Sequence, residues 1–102
     1  MTTAVFSMRD HKPCGFYVQG HSGFAVQGED IVCSAVSSAV ILTANLLEKE
    51  NPLKARCSDG VFSLYCQAPH PLLEGLLAHL KEIAWQYPRN LRIYYLNLNG
   101  GK

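Results

Sequence analysis

The chain has 102 residues, 48% of them apolar and 17% charged, with a formal net charge of +1. That length holds one domain and one core, and the apolar content excludes a disordered chain. Near-neutral charge without a Lys/Arg cluster argues against electrostatic capture of nucleic acid, so none is expected as a direct partner.

Residues Thr3 to Arg9 read as a strand with Ala4, Phe6 and Met8 on one face. Asp10 to Gly15 reads as a turn punctuated by Pro13 and Gly15, with Cys14 an edge or surface thiol. Phe16 to Gln19 completes a hairpin and delivers the chain to Gly20 and His21. The loop Ser22 to Glu29 holds Phe24, Ala25 and Val26 in a glycine-rich setting. It reads as a short strand or as a flap over an apolar peptide, with Phe24 as a substrate contact.

A long helix is expected from about Ile31 to Glu48, ended by Asn51-Pro52. Asp30 suits its N-cap, which puts Cys33 in the first turn. A thiolate there would face unpaired amides and the positive end of the helix dipole. Those amides would also serve as an oxyanion hole. Ile31, Val32, Ala35, Val36, Ala39, Val40, Leu42, Thr43, Leu46 and Leu47 form one apolar arc. Cys33 falls at its edge, with Ser37 one turn further along the same edge.

Leu53 to Cys57 and Val61 to Gln67 read as strands joined at Asp59-Gly60, with Cys57 opposite Phe62. That register makes Cys57 and Cys66 core residues that do not face each other. Pro71 opens a second helix whose stripe is Leu72, Leu73, Leu76, Leu80, Ile83, Ala84 and Tyr87. Trp85 falls off that stripe, His79 reads as solvated, and Leu91 to Leu96 is a final strand.

The fold class that results is α/β. Residues 1–102 form a single small domain, its sheet mostly antiparallel or mixed and covered by two helices. The apolar runs are too short to span a bilayer, and the start MTTAVFSMRD lacks the pattern of a signal peptide. Four cysteines in that setting point to the cytoplasm and to free thiols. No C-x-x-C or H-x-x-x-H pair is present, so no metal or other cofactor is expected.

The string Gly20-His21-Ser22-Gly23, followed by Asp30-Ile31-Val32-Cys33-Ser34-Ala35-Val36-Ser37, resembles the signature of the bacterial ribosomal-processing cysteine proteases. Gly20, His21, Asp30, Cys33 and Ser37 match the family pattern, and Ser22 stands where a small Ala is more usual. The resemblance implies a Cys33 nucleophile with a His21 base, in a homodimeric α/β domain. It also implies a substrate: the precursor of the twenty-seventh protein of the large ribosomal subunit, cut after an aromatic, apolar N-terminal segment. Asp30 has two candidate roles, helix cap and His21 orienter, with the cap favoured. Ser37 either hydrogen-bonds near the thiolate or bonds back to its own helix. The competing readings are a non-catalytic ribosome-assembly binder and a redox-sensing thiol protein. The absence of a resolving Cys near Cys33 in sequence weakens the latter.

Overall fold

A computed structural model describes residues 1–19, 27–50, 56–58, 61–66 and 68–98, with backbone alone at 27–30 and 56–58. In chain order the elements are β1 (Thr2–Arg9), β2 (Lys12–Gln19), α1 (Gln27–Glu50), β3 (Arg56–Ser58), β4 (Val61–Tyr65), α2 (Pro71–Gln86) and β5 (Leu91–Asn97). This is the expected order of strands and helices.

Strands β1 and β2 form a hairpin, but its turn is tighter than the sequence suggested. Only Asp10 and His11 turn, at φ 54° and 65°. Two successive left-handed residues make the mirror-image turn whose twist matches paired strands, and Asp tolerates that region better than most residues. The strand therefore resumes at Lys12, and Pro13 and Gly15 lie within it. A bulge makes this possible: Ser7 pairs with Gly15 and Met8 with Pro13, leaving Cys14 as the extra residue. Cys14 is fully buried and its Sγ donates to Ser7 O at 3.5 Å. The expected surface thiol is thus an interior one, because the bulge turns it inward.

The sheet order is β3-β4-β2-β1-β5. Four strands pair antiparallel, while β5 lies parallel to β1 at the edge, so the sheet is mixed. Cys57 pairs with Phe62, as the alternation of apolar residues required. The remainder of that hairpin register, Leu53 and Ala55 included, and the turn at 59–60 lie outside the described residues.

Both helices contribute to one core with Ala4, Phe6, Phe16, Val18 and Leu64 of the sheet. Phe6 and Phe62 flank Phe16 with ring centroids 6.2 and 6.1 Å away. From α1 come Val32, Val36, Val40, Ala44 and Leu47; from α2 come Leu73, Leu76, Leu77 and Leu80. Three residues of the expected arc on α1 are instead exposed: Ile31, Leu42 and Leu46. On α2, Leu77 joins the core and Tyr87 leaves it at the C-cap. An apolar arc wider than the groove it fills leaves its flank in solvent. By length and composition alone Ile31–Glu50 could cross a bilayer, contrary to the sequence expectation, yet this helix supplies five residues to the core.

The start of α2 holds a contact that sequence reasoning missed. His70 Nδ1 accepts the Leu72 amide at 3.0 Å, capping the helix ahead of Pro71. Its Nε2 lies 2.8 Å from Glu50 Oε1, at the last residue of α1. One nitrogen accepts, so the ring proton sits on the other and is donated to the carboxylate. A single imidazole thereby ties the end of one helix to the start of the next.

Candidate active site

Strand β2 ends at Gln19 and α1 begins at Gln27. Gly20, His21 and Phe24 fall between them, outside the described residues, so the approach of His21 to Cys33 is not on view.

The helix start changes the local electrostatics. With α1 beginning at Gln27, Asp30 lies inside it and is not its N-cap. The amides without an intrahelical acceptor belong to the first turn, Gln27–Asp30, and Cys33 lies in the second. The helix dipole fades beyond the terminal turn. Cys33 therefore loses the amide cradle and the oxyanion hole that a helix starting at Ile31 would have given it. A thiolate at Cys33 would then need a neighbouring base to form it.

Exposure separates the cysteines. Cys14 is fully buried, and Cys66 is 8% exposed within the core cluster. Burial pushes the Cys66 thiol up, and the nearby Cys14 and Glu50 push it further. A thiol held protonated in the core is inert. Cys33 alone, among the cysteines with described side chains, is only partly buried. It follows Val32, which is fully buried, by about 100° around the helix, and so sits on the edge of the buried face. Ser37, one turn on, is exposed on the same edge.

A cleft of about 600 Å³ between α1 and α2 is lined by Ala39, Leu42, Leu46, Leu72 and Gly75. Leu42 is nine residues from Cys33 and projects about 180° away from it around α1. That cleft does not open onto the thiol.

The family model described as "Cysteine protease Prp" matches residues 1–92. The chain belongs to the Prp family of cysteine proteases. It is 30% identical over 92 residues to the ribosomal processing cysteine protease Prp of Bacillus subtilis (strain 168), covering 76% of this chain and 81% of that protein. Among solved structures, SMU.848 from Streptococcus mutans superimposes with a TM-score of 0.76 at 24% identity, covering 95% of both chains. The essential ribosomal processing protease Prp of S. aureus, solved with a covalently linked product peptide, gives a TM-score of 0.75 at 22% identity. That match covers 94% of this chain and all of the S. aureus one. A further structure of the S. aureus protein contains a substrate peptide and gives a TM-score of 0.76 at 21% identity. The fold is therefore shared, and the enzyme is a cysteine protease. Family membership sets aside the reading of a purely non-catalytic binder.

Proposed function

We propose that this protease removes the N-terminal extension of a large-subunit ribosomal protein during ribosome assembly, with Cys33 as nucleophile and His21 as base. The observation that carries the assignment is the exposure of Cys33 beside the burial of Cys14 and Cys66. The ribosomal substrate is supported by the B. subtilis and S. aureus relatives, both of them ribosomal processing proteases.

His21 takes the thiol proton and the Cys33 sulfur attacks the scissile carbonyl carbon. The tetrahedral intermediate collapses as the protonated imidazole gives its proton to the departing amine. Water, deprotonated by the same imidazole, then attacks the thioester and releases the acid. No metal or cofactor enters these steps. Gly20 frees the backbone that carries His21. Ser37 stands one turn from the sulfur on the same edge, and Asp30 is retained as the His21 orienter now that the helix begins before it. Phe24 contacts the apolar residues of the substrate.

We place the enzyme in the cytoplasm, where nascent ribosomal proteins are found, and infer that it is a homodimer. The uncovered side of α1 supports the latter. Ile31, Ile41, Leu42 and Leu46 are 52%, 49%, 60% and 38% exposed. No charged residue occurs from Ile31 to Leu47. A solvated helix face more than four turns long without a charge is the kind that a second subunit covers.

The test is incubation with a ribosomal protein precursor, read by intact mass. The wild-type enzyme yields two fragments, while Cys33→Ala and His21→Ala leave the precursor whole with the fold unchanged by circular dichroism. Cleavage at the wild-type rate by Cys33→Ala removes that thiol from the mechanism.

A further inference from the structure

Charge is segregated between the two layers. Among the described residues, the five strands carry Arg9, Lys12, Arg56 and Arg92 and neither Asp nor Glu. The two helices carry six of the eight acidic residues, Glu29, Asp30, Glu48, Glu50, Glu74 and Glu82, against Lys49 and Lys81. A chain of net charge +1 thus folds into a basic sheet backed by an acidic helical layer.

The basic side is the face that the helices leave open. Register puts Val5 beside Tyr17 and Tyr94, Tyr17 beside Ser63, and Gly15 beside Tyr65. These residues alternate with Phe6, Phe16 and Leu64 of the core and so point away from the helices. Tyr17, Tyr65 and Tyr94 are 43%, 47% and 50% exposed there. Arg92 pairs with Thr3 on the same face. The Cys14 bulge brings Lys12 onto it as well, opposite Arg9. Arg9 reaches across to donate to the Tyr65 hydroxyl at 3.1 Å. Between Tyr17, Tyr65 and Leu96 lies a trough of about 490 Å³ floored by Val5, Ser7 and Ser63.

We propose that this open sheet face binds single-stranded RNA, with bases stacking on Tyr17, Tyr65 and Tyr94 and phosphates meeting Lys12 and Arg92. Aromatic rings on a sheet give unpaired bases a platform, and flanking cations follow the backbone. Every base has a π-face, so such a surface is tolerant of sequence. Charge also decides against a second copy as the occupant, since two such faces would set cation against cation. The preference for RNA over DNA rests on the proposed ribosomal substrate, whose precursor is met beside ribosomal RNA; the surface itself does not depend on it.

The experiment is fluorescence anisotropy of the wild-type protein with a labelled twelve-nucleotide oligouridylate. The same-length RNA duplex and single-stranded DNA serve as comparison probes, and peptide cleavage is measured in parallel. Single-stranded RNA should bind with an affinity that falls with salt, at a log–log slope of about −1.4 for the two phosphates that Lys12 and Arg92 neutralise. The duplex should bind more weakly because its bases are already stacked. Tyr17→Ala should weaken binding roughly 5- to 150-fold, whereas Tyr17→Phe keeps the ring and the affinity. Arg92→Gln should make the slope shallower by about 0.7. None of these variants should slow peptide cleavage. Failure to bind at low salt overturns the proposal, as does equal affinity for duplex, or Tyr17→Ala altering the oligomeric state but not RNA binding. Equal affinity for the DNA strand removes the preference for RNA while upholding the surface. A wild-type protein that binds the RNA but leaves the ribosomal precursor uncut would instead strike at the proposed protease substrate, so the two failures are distinct.

Discussion

Two glycines predict opposite effects of the same substitution. Gly15 lies mid-strand in β2, opposite Tyr65. A Cβ built there would stand 2.8 Å from Leu64 O, 3.0 Å from Tyr65 Cδ1 and 3.2 Å from Tyr65 Cα. The nearest obstacle is a backbone carbonyl fixed in the β2–β4 ladder, so the strands must part to admit a methyl group. Overpacking of this kind costs about 1–3 kcal/mol. Removing glycine from a strand returns about 0.5–1 kcal/mol through the unfolded chain. The net loss for Gly15→Ala is at most about 2.5 kcal/mol and centres on about 1.2 kcal/mol, a fall of about 5–10 °C in Tm for a domain of this size. Gly75 has nothing within 4 Å of the equivalent position and lies inside α2. Gly75→Ala should gain about 0.5–1 kcal/mol, a rise of a few degrees. Thermal unfolding followed by circular dichroism measures both. If Gly15→Ala melts at or above the wild-type temperature, the close approach of β2 and β4 is not there and the register is wrong.

Two further outcomes follow from burial and exposure. Burial raises the Cys66 thiol above its ordinary value of 9.0, so the folded state holds the proton that the unfolded chain releases first. The stability this gives is fully present below about pH 9 and is lost as pH rises through the higher folded value. Cys66→Ala should flatten that alkaline decline in urea titrations, and an unchanged slope between pH 8 and 11 would put the thiol in water. Leu42→Lys places a charge on the open side of α1, where Leu42 is 60% exposed. It should shift sedimentation toward the monomer with little change in Tm; an unaltered sedimentation coefficient moves the subunit interface elsewhere.

Much of the domain is legible in the linear chain because its signals are local. Alternation marks β1 and β4, the run from Ile31 marks α1, and Pro71 marks the start of α2. Cys57 opposite Phe62 follows from a two-residue turn and a buried face. Cys33 and His21 stand out as residue types in a motif, which needs no geometry. Helix boundaries are less legible: Asp30 is as good a first-turn residue as a cap, and only the backbone shows α1 starting at Gln27.

What the folded chain alone decides is everything set by residues distant in sequence. The parallel seat of β5 beside β1 depends on the crossover through α2, which carries no sequence mark of its own. The bulge that buries Cys14 is fixed by the pairing of Ser7 with Gly15 and Met8 with Pro13, not by the preference of any one residue. The bond between His70 and Glu50 joins residues twenty apart across two helix ends. Charge gives the clearest contrast. Arg9, Lys12, Arg56 and Arg92 form no cluster in the sequence, and the net charge of +1 conceals them. Strand alternation and sheet order bring Arg9, Lys12 and Arg92 onto one face and leave most of the acidic residues on the helices behind it. Net charge is a sum over the chain, whereas the potential that a partner meets depends on which side of the sheet each charge occupies.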